Sequence, residues 1–400
     1  MTQALSLRIA AMTGNRVVAE AMRQVNPDLV AAYPITPQTE AVEYFAQMVA
    51  DGRVLTEFIP VESEHSSMSA CIGAAVSGAR AMTTTSSQGL ALMWEMLYIA
   101  SSLRLPIVMY VGNRALNSPL NIHCDHTDSM GARDAGWIQI YSEDCQELYH
   151  NIIMAVPIAE RALLPVMICA DGFTLTHTME RVELLPDEVV RQFVGEGDLH
   201  TFPYPLLDLD HPVMLGPNAL PDYLTEHRYS LHVAVEAAPE IVRQVEEEFA
   251  ALTGRTYGSL EAYRLEDADY GAVVLGSSVT NLKAAVDSLR EEGFKVGVLK
   301  LRLFRPFPAQ EVAQALAPLK GVAVFDRADS MDGAGGPLYK DICTALFDLP
   351  RRPFLHDFIY SLGGRDLFVE DATRALERIR ALVEKREGRQ AVSEYLQVRE

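Results

Sequence analysis

Six short apolar runs interleaved with helix-forming segments leave this chain few ways to fold. DLVAAYP (28–34), RVLTEFI (53–59), ARAMTTT (79–85), LPIVMYVG (105–112), WIQIYS (137–142) and LPVMICAD (164–171) read as strands buried on both faces. Helical candidates lie among them at Asn15–Gln24, Pro37–Ala50, Ser66–Ser77, Leu90–Ser102 and Cys145–Leu163. Buried strands alternating with helices predict an α/β fold, a doubly wound parallel sheet covered on both sides.

From about Thr178 to Arg255 the pattern gives way to acidic, Pro- and His-containing sequence, including LHTFPYPLLDLDHP (199–212). This reads as a crossover and linker with one helix around Pro239–Thr253. A second alternation follows: YGAVVLGS, helix Asn281–Glu292, KVGVLK, helix Ala309–Ala317, GVAVFD, helix Leu338–Phe347, FLHDFIY and the amphipathic helix Ala372–Glu384. The expected division is a first domain over residues 1–240, its linker included, and a smaller α/β domain over 255–400. With 400 residues and 49% hydrophobic positions, two ordinary cores are within reach.

A formal charge of −20 leaves no basic stripe to neutralise phosphates, which disfavours nucleic acid and anionic membranes as partners. Cys71, Cys124, Cys145, Cys169 and Cys343 are scattered, with no C-x-x-C pair, so any iron–sulfur cluster is expected on another chain. Such thiols suit a reducing cytoplasm, and no stretch reads as a signal peptide or membrane span.

Five segments could carry chemistry. In YPITPQTE, Thr36 reads as the N-cap and Pro37 as the first residue of a helix; alternatively the Thr36 hydroxyl faces an anionic substrate. In VESEHSSMSACIGAAVSGA, Ser63 reads as a cap, with Glu62 and Glu64 competing as the functional carboxylate. MTTTSSQGLALM carries a hydroxyl-rich turn at Ser86–Gly89. Arg114, in VGNRALNSPLNI, offers a fork of donors suited to a carboxylate. His123, Cys124, Asp125 and His126 suggest zinc, but adjacent residues seldom converge on one tetrahedral ion.

Together AYPITPQTE, VESEHSSMSACIGAAVSGARAMTTTSSQGLALM, GNRALNSPLNI with CDHTD, CADGFTLTH, KVGVLKLRLFRPFP and LGGRD closely resemble the α subunit of pyruvate:ferredoxin and related 2-oxoacid:ferredoxin oxidoreductases. That resemblance implies a thiamine-enzyme pyrimidine-binding domain followed by a transketolase C-terminal-like domain. It implies coenzyme A-dependent oxidative decarboxylation of pyruvate to acetyl-CoA and CO2, or the reverse, with electrons passing to ferredoxin. Glu64 is then expected to approach N1′ of the aminopyrimidine, with Pro34, Ile35, Ser87 and Gln88 also on the cofactor. Arg114 pairs with the substrate carboxylate and Thr36 hydrogen-bonds beside it.

The sequence lacks the G-D-G…Asn run resembling the magnesium–diphosphate motif of thiamine enzymes. Thiamine diphosphate is therefore expected at the boundary with a β subunit that holds the diphosphate and Mg2+. The [4Fe-4S] clusters belong to partner chains, with γ and ferredoxin-like subunits completing a dimer of heteromeric protomers, and no metal is assigned to this chain. Asn117 rather than a carboxylate follows Arg114, which favours a monoanionic oxoacid such as pyruvate. The alternatives are a branched-chain 2-oxoacid enzyme, a non-redox thiamine enzyme and a non-catalytic assembly subunit.

Overall fold

The computed structural model describes residues 6–195, 209–216, 218–385 and 392–399. It opens with β1 (Arg8–Thr13), α1 (Gly14–Val25), β2 (Leu29–Ala32), α2 (Thr39–Ala50), β3 (Glu57–Pro60), α3 (Glu64–Val76), β4 (Ala81–Thr85), α4 (Ser87–Leu92), α5 (Trp94–Ser102) and β5 (Val108–Asn113). Then come α6 (Thr127–Gly131), β6 (Ile138–Tyr141), α7 (Cys145–Ala162), β7 (Val166–Asp171), β8 (Met179–Leu184), α8 (Asp187–Val194) and α9 (Pro221–Thr253). The remainder is β9 (Leu260–Tyr263), β10 (Tyr270–Leu275), α10 (Val279–Glu291), β11 (Val296–Leu301), β12 (Leu303–Arg305), α11 (Ala309–Leu316), β13 (Gly321–Asp326), α12 (Pro337–Ala345), β14 (Phe354–Ile359), α13 (Val369–Glu384) and β15 (Ser393–Tyr395).

Among the described residues the first sheet runs β12-β6-β7-β5-β4-β2-β3, and every pair in it is parallel except β12 on β6. The second runs β15-β14-β13-β10-β11-β9, antiparallel only at β9. β4, β5, β6 and β7 are buried at every position, as strands covered on both faces must be. α1 and α7 cover one face of the first sheet, sharing a core with Val30, Tyr110 and Ile168. On the other face, residues of α3 and α5 belong to a core that continues into Val273, Leu301, Val312 and Leu338 of the second unit. Each fully buried aliphatic side chain there contributes about 1.5–3 kcal/mol.

Three expectations need correction. Thr36 caps no helix: α2 begins at Thr39 behind Gln38, and residues 36–38 form a turn. The carbonyls of Thr36 and Pro37 are engaged by Arg114 and Asn15, and Gln38 N–H bonds Ile35 O at 3.0 Å, so the chain turns before it can wind. The helix expected around Pro239–Thr253 begins instead at Pro221, which stands at its start, and Pro239 lies inside it. Residues 221–230 are exposed, so no apolar face marks them. Residues 179–184, expected within the linker, form β8 and pair with β1 across a long sequence separation. The stretch 199–208 of the expected linker lies outside the described residues.

The two units also join through buried charge. Arg327, 5% exposed, donates to Asp171, 1% exposed, at 2.7 Å. Asp171 also meets His126 Nε2 at 2.7 Å and accepts from Ser277 N and Oγ. Burial alone would raise the Asp171 carboxyl, but Arg327 and His126 hold it well below the ordinary carboxylate range. Because the folded value lies below the unfolded one, this contribution is complete above about pH 4 and is lost only in strong acid. Arg327→Met strands a buried carboxylate and is expected to destabilise the fold by about 3–5 kcal/mol, measurable as a lower unfolding temperature.

Cys124 and His126 do approach Asp171, with possible ligand atoms within 4.8 Å of one another. The guanidinium already on Asp171 supplies the positive charge there. His123 is elsewhere, its ring 4.7 Å from that of Phe173.

Candidate active site

In parallel strands every carboxyl end points the same way, and in open α/β sheets ligands collect at that edge. Here the residues following β2, β3, β4 and β5 all emerge there: 33–38, Glu64 at the start of α3, Ser86–Gly89, and Arg114 with its loop.

Ser63 starts α3 by accepting from Ser66 N–H at 3.2 Å, which places Glu64 in the first turn. Glu62 is exposed and bonded to the Ser66 hydroxyl, which keeps its carboxyl below the ordinary range. Glu64 is 5% exposed, and its carboxylate has no hydrogen bond or ion pair with any described residue. An unpaired buried carboxylate is costly, and a native site retains one where a ligand completes it.

The β4–α4 turn faces that carboxylate. A Cβ on Gly89 would lie 2.6 Å from Glu64 Oε1 and 2.5 Å from Thr85 Oγ1, so only glycine leaves this approach open. Thr85 Oγ1, Ser86 Oγ and Gln88 Nε2 are buried without hydrogen-bond partners. Ser87, at φ +46°, places its Oγ 2.6 Å from both Ala115 O and Gln88 Oε1. Orphaned donors and acceptors beside an unpaired carboxylate fit a planar heterocycle with polar edges. Ile35 is half-buried and Pro34 exposed in the neighbouring β2 loop.

Arg114 is 6% exposed. It donates from Nε to Asn121 O at 3.0 Å and from Nη1 to Thr36 O at 2.9 Å, so Thr36 and Arg114 are brought together through the Thr36 backbone. No carboxylate of a described residue lies within ion-pairing distance of the guanidinium, and burial pulls its pKa below the ordinary value, with Asp128 opposing. A guanidinium held by two carbonyls and lacking a counter-ion is poised for an anion.

Asp128 escaped the sequence reading. It is 3% exposed and accepts from Ser87 N at 2.9 Å, Asn113 Nδ2 at 2.8 Å, Arg114 N at 3.0 Å and Ser129 N at 2.8 Å. Burial pushes its carboxyl up to about 6 even against those four donors. Its only sequence signal is membership of the CDHTD block.

A family model described as pyruvate flavodoxin/ferredoxin oxidoreductase, thiamine diphosphate-binding, matches residues 20–247. One described as pyruvate:ferredoxin oxidoreductase core domain II matches residues 268–372. Pyruvate synthase subunit PorA of Thermotoga maritima is 54% identical over 369 residues, 92% of this chain and 93% of that one. Ketoisovalerate oxidoreductase subunit VorA of Pyrococcus horikoshii is 43% identical over 375 residues, 93% of this chain and 94% of that one.

Among solved structures, 2-oxoglutarate:ferredoxin oxidoreductase from Magnetococcus marinus, with 2-oxoglutarate, coenzyme A and succinyl-CoA bound, superposes with a TM-score of 0.68 at 21% identity. The match covers 94% of this chain and 65% of that chain. A split-gene transketolase, an inactive beta4 tetramer, gives a TM-score of 0.54 at 12% identity over 94% of this chain and all of that one. These two likenesses establish the fold.

Proposed function

Because the chain belongs to the pyruvate:ferredoxin oxidoreductase family, we propose that it is the substrate-facing subunit of a thiamine diphosphate-dependent pyruvate:ferredoxin oxidoreductase, active only with partner chains. The observation that carries this reading is a pair of buried charges on one sheet edge with no ion-pair partner among the described residues: the Glu64 carboxylate and the Arg114 guanidinium. One calls for a protonated nitrogen and the other for a carboxylate.

Thiamine diphosphate, when bound, supplies the nucleophilic carbon and electron sink that break the bond between a 2-oxo carbon and its carboxylate. Glu64 is the residue to share a proton with the aminopyrimidine N1′, and its burial restricts that proton to the cofactor. Gln88, Ser87, Ile35 and Pro34 would bound the ring. Arg114 would grip the oxoacid carboxylate and Thr36 would orient the 2-oxo group beside it, so the reacting carbon is held rather than captured by chance.

A companion β subunit would hold the diphosphate and Mg2+. Further γ and ferredoxin-like chains would carry [4Fe-4S] clusters and pass electrons to ferredoxin, with coenzyme A taking the acyl group in a dimer of heteromeric protomers. The scattered cysteines support placing the clusters elsewhere. No described helix is long and apolar enough to cross a membrane; a cytoplasmic enzyme is our reading.

A ketoisovalerate reading has one observation in its favour, the 43% identity to a VorA subunit, against 54% for a PorA subunit. Asn117, three residues after Arg114 in place of a carboxylate, suits any monoanionic oxoacid. Reconstitution tests the subunit assignment: this chain alone should not reduce a viologen dye with pyruvate and coenzyme A, and adding the companion chains should restore turnover. Dye reduction by the isolated chain would overturn it.

Gly89→Ala tests the cofactor face. The methyl group would lie 2.5 Å from Oγ1 of the buried Thr85, 2.6 Å from Glu64 Oε1 and 2.9 Å from Glu64 Cγ, so both side chains must shift, lowering the unfolding temperature somewhat and displacing Glu64. Activity titrated with thiamine diphosphate should then show affinity weaker by roughly tenfold or more.

A further inference from the structure

We propose that Asp128 is a positioning residue that fixes the oxoacid-binding arginine and the cofactor-facing turn in one arrangement. The idea rests on the assignment of Arg114 to the oxoacid carboxylate.

Asp128 Oδ2 accepts from two backbone amides, Ser87 N at 2.9 Å and Arg114 N at 3.0 Å. These belong to two separate strand ends. Ser87 opens the turn that brings Gly89 against Glu64, and it sits in a left-handed conformation that a serine adopts only under external constraint. Arg114 is the buried guanidinium. The other oxygen, Oδ1, accepts from Asn113 Nδ2 and Ser129 N, so the carboxylate cannot rotate without breaking all four bonds.

Neither Glu64 nor Arg114 touches Asp128 through its side chain, and Asp128 has no contact that would reach a substrate. Its effect must pass through the backbone of the residues it holds. The other ionisable groups facing it are Arg114, Cys124, Tyr141 and Cys169, and burial raises both thiols and the phenol well above their ordinary values. His126, on the same short segment, is engaged by Asp171 instead. Asparagine keeps the shape of the side chain but turns an NH2 toward two N–H donors, which breaks one half of the clamp and preserves volume.

The test is steady-state kinetics of Asp128→Asn in the assembled complex, varying pyruvate and coenzyme A separately. The pyruvate KM should rise roughly tenfold or more, as loss of hydrogen bonds to a charged acceptor requires, with the coenzyme A KM unchanged. A purely structural role would instead lower the active fraction, so that kcat falls and the pyruvate KM stays within twofold of wild type; that outcome sinks the proposal. Arg114→Ala, run in parallel, separates the two readings: if it too leaves the pyruvate KM unchanged, the oxoacid assignment fails, whereas if it alone raises KM, only the clamp fails. Should Asp128→Asn not assemble, the wild-type complex decides: its pyruvate KM should climb as the pH falls through about 6, where Asp128 takes up a proton, with the coenzyme A KM flat. A pyruvate KM flat over that range overturns the clamp.

Discussion

Glu64→Gln is expected to lower kcat for pyruvate-dependent dye reduction by roughly 10²–10⁴-fold while the complex still assembles and binds cofactor. The glutamine fills the same space at the start of α3 and leaves the Ser63 cap intact, so the fold has no reason to change. What it removes is the ability to take and return a proton. Because no described residue pairs with the Glu64 carboxylate, no neighbouring group is positioned to substitute for it. Glu62, two residues before α3 and exposed, cannot stand in, and Glu62→Gln should leave turnover close to wild type. Loss of activity in Glu62→Gln with retention in Glu64→Gln would reverse the assignment.

Arg114→Ala is expected to raise the pyruvate KM by on the order of 10²-fold, the size of effect seen when one partner of a desolvated charge pair is truncated. Arg114→Lys should recover only a small part of this. A lysine presents one point charge, whereas the guanidinium can hold Asn121 O and Thr36 O and still aim a further N–H at the substrate. Equal KM values for the lysine and arginine enzymes would contradict a forked grip on the carboxylate.

The parallel strands were legible because burial on both faces forces unbroken apolar runs, and GVAVFD matches β13 residue for residue. The Ser63 cap was legible because N-capping is local chemistry. What failed was set by distant partners. Thr-Pro reads as a helix start until Arg114 and Asn15 claim the Thr36 and Pro37 carbonyls. β1 and β8 carry exposed positions along much of their length and find each other only in the folded chain. The first turns of α9 bury nothing and so left no periodic signal. Asp128 is the clearest case at the site, since its donors at positions 87, 113, 114 and 129 come together only after β4 and β5 pair. Glu64 and Arg114 could be named from their sequence blocks, but the absence of an ion-pair partner for either charge among the described residues is a property of the fold.

The most direct measurement of the central claim is 2-oxoacid- and coenzyme A-dependent viologen reduction by the native complex, purified anaerobically through a tag on this chain. Pyruvate, 2-oxoisovalerate, 2-oxoglutarate and oxalate would be compared as substrates. A pyruvate:ferredoxin oxidoreductase gives its highest kcat/KM with pyruvate and negligible turnover with the two dianions. An intact, cluster-bearing complex that reduces the dye with none of the four oxoacids would contradict the functional account and leave only the fold.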